Sequence, residues 1–308
     1  MTLDRRAFLG STAKGLLAAA TGVGLSRICR GAEKADPASK KKIIVGAHPW
    51  VYAATQPKND IYPILDRIFA DMSYAGLDGI ELMHTALRPA DSVETIRALS
   101  KKHSLPVIGT SFGGDMWDRS QHEAISQDAH TVVSHLAEVG GWTFGVSVGK
   151  APQPKTPAQL DAQAELLRGI IALCQSRGIV LNLHNHTYEV ENGMHDLKGT
   201  LARIPDVKLG PDLNWLVRGG VDPVSFIKTY GSQIVFLHLR DQKADGKWSE
   251  AMGEGNMDYA AIGKALREAK FSGDAVIELA HEGNFKPTRP LRESLKMSRA
   301  YVRQTLGF

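Results

Sequence analysis

The 308-residue sequence predicts an α/β fold, a closed (β/α)8 TIM barrel in a single domain, on three observations. Short apolar, β-branched runs recur eight times after residue 42, most of them separated by a stretch of helical periodicity. Glycine and proline stand at helix ends where their backbones are favoured. Four of the last runs end in a polar residue able to hold a proton or a metal, and a parallel barrel gathers such residues at the carboxyl ends of its strands. An open doubly wound sheet would show the same alternation, so closure rests on the number of units.

Before the barrel, residues 1–32 read as a targeting leader. Asp4-Arg5-Arg6-Ala7-Phe8-Leu9-Gly10 precedes a soft Ala/Gly-rich apolar stretch, Gly15 to Leu25, too short and too glycine-rich for an ordinary membrane span. The arginine pair followed by Phe-Leu resembles a twin-arginine export signal, which implies a periplasmic or extracytoplasmic protein. A disordered cytoplasmic tail is the alternative. Residues 33–42 are the linker and residues 43–308 the catalytic domain. Only Cys29 and Cys174 occur, so a processed chain could form no internal disulfide, and Cys174 is expected in the core. The basic excess lies before residue 43, which leaves the domain near neutral and argues against nucleic acid or a membrane surface as partner.

The eight runs are Ile43 to Ala47, Gly79 to Met83, Val107 to Thr110, Thr143 to Val148, Val180 to His184, Val207 to Pro211, Ile234 to Leu239 and Ala275 to Leu279. Helical periodicity fills Ile61 to Met72 and Leu160 to Gln175. Gly76 and Gly178 suit left-handed helix caps, and Thr156-Pro157 and Asp222-Pro223 pair an N-cap with proline at the first helical position. Pro152 to Pro154 is a loop, Asp241 to Asn256 a longer one. Pro287 to Phe308 is expected as a closing helix or a subunit surface, which leaves a homo-oligomer open.

His184, Asp212, His238 and Glu278 each follow or end one of the last four runs. The two-residue period of a strand puts Asn182, His184 and His186 on one face and Leu181 and Leu183 on the other. Two imidazoles and two carboxylates form a mixed donor set suited to a divalent Mn, Co, Fe or Zn ion. Such an ion polarises a carbonyl and eases loss of the neighbouring proton. Glu278, His186 and Glu81 are the candidate catalytic groups, with Glu189 a further base. His48, Trp50, Trp215 and Arg240 are candidate substrate contacts, Arg240-Asp241 reading alternatively as a surface pair. Lys150 could reach a substrate oxygen. His84, His103, His122, His130, His135, His195 and His281 read as surface or loop residues.

These motifs together resemble the sugar phosphate isomerase/epimerase superfamily, the xylose isomerase-like TIM barrels, over residues 43 to 308. The resemblance is carried by Gly79-Ile-Glu-Leu82, His184-Asn-His-Thr-Tyr-Glu189, Pro211-Asp-Leu-Asn214, Leu237-His-Leu-Arg-Asp241, Gly253-Glu-Gly-Asn-Met-Asp-Tyr259 and Ile277-Glu-Leu279. It implies metal ligands at Asp212, His238 and Glu278, while His184, in the His-Asn-His branch, stands where many members carry glutamate. That departure disturbs a two-glutamate proton exchange. Trp215 stands where some members carry another histidine, which argues against the superfamily's DNA-repair branch.

The expected function is a metal-dependent isomerase or epimerase moving a proton beside the carbonyl of a sugar or sugar derivative. The alternatives are a lyase or dehydratase on a keto-sugar, 3-keto-glycoside or inosose, and a non-catalytic extracytoplasmic sugar-binding protein.

Overall fold

The computed structural model describes residues 42–308; the leader, Cys29 and the linker up to Lys41 lie outside the described residues. Eight parallel strands appear where the eight runs predict them: β1 (Val45–Ala47), β2 (Gly79–Met83), β3 (Val107–Gly113), β4 (Thr143–Ser147), β5 (Val180–Leu183), β6 (Lys208–Leu209), β7 (Phe236–Leu239) and β8 (Asp274–Ile277). They are ordered β6-β5-β4-β3-β2-β1-β8-β7. Single parallel bridges, Leu209 to Ile234 and Asp212 to His238, link the two ends of that order. The sheet is therefore a barrel rather than an open doubly wound sheet.

Only β2 keeps the bounds of its run, and β3 and β6 depart from theirs the most in length. β3 continues to Gly113 because Ser111 to Gly113 pair with Gly145 to Ser147 of β4. β6 is short because Pro211 has no N–H to give the ladder, although its carbonyl still accepts the His238 N–H at 3.0 Å.

Helices cover the outside, and the main apolar core lies between them and the sheet. Punctuation works as the sequence implies. Thr156 closes a capping box on Gln159 at the start of helix Pro157–Ser176, Asp222 caps helix Pro223–Tyr230, and both helices have proline in the first turn. Gly76 and Gly178 take φ of 73° and 69° after their helices. Cys174 is fully buried in the core. The final helix is Leu291–Leu306. Among the described residues, no helix is long and apolar enough to cross a membrane.

A separate small cluster, Ile108, Phe236 and Val276, packs apart from that core. Phe236 and Val276 share strand parity with His238 and Glu278, so this cluster plugs the barrel interior below the polar residues. Fully buried Asn182 and Glu81 fit inside because two facing strands give up their side chains. A Cβ on Gly210 would stand 1.8 Å from Asn182 Oδ1, and one on Gly145 would stand 3.3 Å from Glu81 Oε1.

Candidate metal site at the barrel mouth

Each of the last four strands delivers one donor to the same point. His184 follows β5 directly, its N–H bonded to the Val146 carbonyl, and Glu278 follows β8, its N–H bonded to the Leu239 carbonyl. Asp212 follows β6 and caps helix Leu213–Arg218, where its Oδ1 accepts the N–H groups of Asn214 and Trp215 at 2.9 and 3.0 Å. His238 lies within β7. All four are buried, and one donor atom from each lies within 4.8 Å of the others.

The contacts around the cluster fix its members in place. His238 Nδ1 lies 2.6 Å from Glu278 Oε2, and its Nε2 lies 3.3 Å from Glu81 Oε2. The Arg240 guanidinium reaches Asp212 Oδ2 at 2.7 Å and Glu278 Oε1 at 2.8 Å through one nitrogen. Asn185 ties the ends of β5 and β6 together, accepting the Asp212 N–H at 3.2 Å. His184 Nδ1 is buried with no hydrogen-bond partner, and His238 Nε2 meets Glu81 only as an ion pair, with no hydrogen bond between them. A buried polar atom left so costs about 1–3 kcal/mol, which an ion at the His184 nitrogen would offset. The residues fit a divalent cation: mixed nitrogen and oxygen donors, one of them an unengaged imidazole nitrogen.

Electrostatics prepare the same group of residues. Burial drives the His184 imidazole far below its ordinary range, and the neighbouring His238 adds to this, so it is neutral with a lone pair to give. Burial alone would raise Glu278, but Arg240, His48 and His238 together hold it well below the ordinary carboxylate range. For Asp212, burial prevails and pushes it upward, with the Glu278 charge acting in the same direction against Arg240. Burial would lower His238, yet Glu81 and Glu278 outweigh it and lift its pKa to about 10.

Above the donors opens a cavity of about 620 Å³. His48, Trp50, His184, His186, Trp215, Arg240 and Glu278 line it, as does Lys150. The Trp50 N–H donates to His48 Nδ1 at 3.2 Å, and His48 Nε2 lies 2.9 Å from Ser111 Oγ. Of the two adjacent histidines, His184 belongs to the donor cluster. His186 stands one ring away at 5.0 Å, half-buried in the cavity wall, its Nδ1 at 3.2 Å from Ser147 Oγ. Burial lowers His186 to about 4, so it too is neutral.

Several expectations require correction. Glu81 has no exposed surface and is not among the residues that line the cavity; its carboxylate sits behind His238, with Oε2 3.3 Å from Nε2. This is the usual partner of a metal-bound imidazole. Glu189 is buried and accepts the His186 N–H at 2.7 Å as part of the helix cap, and burial raises its pKa to about 8. Arg240 and Asp241 are not a surface pair, since both are about 2% exposed. Asp241 instead accepts the backbone N–H groups of Gln242, Gly253, Gly255 and Met257 at 2.9–3.2 Å, which folds the loop that follows it. That loop places Trp248 on the cavity, a residue the sequence reading missed. His84 also lines the cavity instead of standing on the surface, as do Ser111 and Ser147.

The position of Glu81 yields a first prediction. Glu81→Gln keeps the side chain's shape but removes its charge from His238 Nε2. Metal affinity should fall about 10- to 100-fold, measured by competition with a chelating dye, while the cavity residues keep their places. Unaltered affinity would show that Glu81 does not orient the ring.

Comparison with known proteins agrees with this geometry. Over 248 residues the chain is 23% identical to an inosose dehydratase of Geobacillus kaustophilus (strain HTA426), covering 69% of this chain and 79% of that protein. An L-ribulose 3-epimerase structure superimposes with a TM-score of 0.70 at 19% identity, over 86% of this chain and 95% of the other. A 3-keto-D-glucoside 4-epimerase from E. coli does so with a TM-score of 0.66 at 18% identity, over 85% of this chain and 100% of the other. These structural likenesses establish the fold. Residues 69–301 match the family described as xylose isomerase-like TIM barrel, and with eight parallel strands around a buried His/Asp/Glu cluster the chain belongs to that family.

Proposed function

We propose that the protein is a divalent-metal-dependent sugar isomerase or epimerase that moves a proton at the carbon beside a carbonyl. The observation that carries this reading is the four-donor cluster His184, Asp212, His238 and Glu278 at the floor of an aromatic-lined cavity. An ion held there would polarise the substrate carbonyl and make the neighbouring C–H acidic. The protein's own groups do the rest. Glu278 is ionised and faces the cavity, so one of its oxygens can take the proton. His186, neutral in the cavity wall, is a second group that can accept or return a proton. Trp50, Trp215 and Trp248 offer faces for the sugar ring, and Arg240 a cation for its oxygens. The names of the sugar epimerases with this fold support a small sugar substrate, and the Arg5-Arg6 leader supports export.

A second reading, a lyase or dehydratase, is favoured by one feature. The β5 position holds the neutral His184, and Glu81 lies behind the site, so carboxylates do not flank the cavity as a matched pair. One base beside a good leaving group gives elimination, and the inosose dehydratase relative is named for such a reaction. The test is incubation of the metal-loaded protein with a panel of keto-sugars in deuterated water. Deuterium should enter the carbon beside the carbonyl, with the carbon skeleton intact for an epimerase and with loss of water or an alcohol for a lyase. No exchange on any substrate would favour a sugar-binding protein without turnover.

A pH dependence follows from His238. With its pKa at about 10 the metal-free imidazole is protonated at neutral pH, and an ion can take Nδ1 only if that proton leaves. Metal affinity should therefore rise about tenfold per pH unit below that value, with about one proton released per ion. Titration calorimetry in buffers of different ionisation enthalpy reads this directly. A pH-independent affinity between 6 and 8 would contradict it.

A further inference from the structure

The mouth is larger than one sugar ring requires, and a second cavity adjoins it. A pyranose displaces about six waters at about 30 Å³ each, on the order of 200 Å³, against the main cavity's roughly 620 Å³. The second cavity has a volume of about 230 Å³, and Lys150 and Tyr188 line both. An aromatic strip leads from one to the other: Trp248, Trp215, His186 and Tyr188 follow with ring separations of 5.7, 5.8 and 5.3 Å. The indole Nε1 of Trp215 in this strip is buried without a hydrogen-bond partner.

The walls of the second cavity indicate what it would take. Helix Thr187–Arg203 breaks at Glu191, and Asn192, Gly193 and Met194 then take φ of 54°, 68° and 64°. Left-handed backbone at the two non-glycine residues costs about 1–2 kcal/mol each, and such strain gathers at ligand sites. The break brings Glu191 and Asn192 into the cavity wall with Gln153. Lys155 does not make the cavity cationic, because Asp196 holds its ammonium at 2.5 Å and Gln163 at 2.6 Å. The rest of the polar lining, the amides of Gln153 and Asn192, the Glu191 carboxylate and the Lys150 ammonium, mixes donors and acceptors of both signs, which suits the hydroxyls of a sugar.

We propose that the substrate is a saccharide of at least two rings, its carbonyl-bearing unit over the four-donor floor and a second sugar in the cavity beyond Tyr188. This rests on the sugar-active reading above and names its substrate class. The test compares D-fructose with the keto-disaccharides lactulose, isomaltulose and turanose by titration calorimetry on the Mn-loaded protein. At least one disaccharide should bind about tenfold or more tightly than D-fructose. Gln153→Trp, which fills the second cavity from an exposed loop, and Asn192→Gly, which removes its amide and relieves the strained backbone, should each shrink the ratio of the two Kd values within the same variant. Equal affinities in the wild type, or a ratio unmoved in both variants, would overturn the proposal. Solvent exchange on keto-sugars with equal affinities would sink this inference alone; absence of both exchange and binding would sink the sugar-active reading with it.

Discussion

Glu278→Gln is expected to leave the barrel folded and to remove both the bound ion and turnover. The substitution preserves volume but removes one of two carboxylate charges from the donor cluster. Arg240, 2.8 Å from Glu278 Oε1, then faces a neutral amide, and the strongest anion available to a cation is gone. The same carboxylate is the leading proton acceptor, so the change strikes binding and chemistry together. Metal content should fall from about one ion per chain to a small fraction, and the solvent-exchange rate by about 10³-fold or more. His238→Ala should lose the ion by a different route, since it removes a nitrogen donor and strands Glu81 behind it. Circular dichroism would verify that each variant folds. Undiminished metal in both would reject the assignment of these residues.

Arg240→Met should destabilise the metal-free protein far more than the metal-loaded one. Arg240 is buried and its guanidinium joins Asp212 and Glu278, at 2.7 and 2.8 Å. Removing one member of a buried ion cluster typically costs about 3–5 kcal/mol, because the remaining charges are left unpaired. Here those charges are two carboxylates, the groups a divalent ion would neutralise. Without metal the variant should melt on the order of 10 °C lower, at 2–4 °C per kcal/mol for a domain of this size. Added Mn should restore much of that loss. Differential scanning fluorimetry with and without chelator distinguishes the two states, and a deficit that metal does not reduce would show that the guanidinium and an ion do not serve the same carboxylates.

Much of the molecule is legible in the sequence because its signals are local. The strands are short apolar runs bounded by glycine and proline, and β1 to β8 fall where those runs stand. His184, Asp212, His238 and Glu278 could be picked out because each closes such a run, and the barrel brings strand ends together. What remained hidden depends on register and on chain folding at a distance. Glu81 and Met83 share a strand face, but Glu81 lies two residues further from the carboxyl end of β2, and only Met83 reaches the cavity. Trp248 comes to the mouth because its loop folds back on Asp241 and bridges to Gln242, an arrangement no periodicity announces. His84 follows β2 on a 3₁₀ turn, where a two-residue period no longer applies. Arg240 did leave a signal: it shares parity with His238, two residues earlier, so an inward position could have been read from the strand alone.

The central claim, that four side chains from the last four strands grip one cation, is tested most directly by anomalous diffraction from crystals of the Mn-loaded protein, collected on either side of the metal's absorption edge. A single anomalous peak is expected, bounded by the side chains of His184, Asp212, His238 and Glu278. A peak elsewhere, or none at this point in crystals whose protein retains the metal, would contradict it.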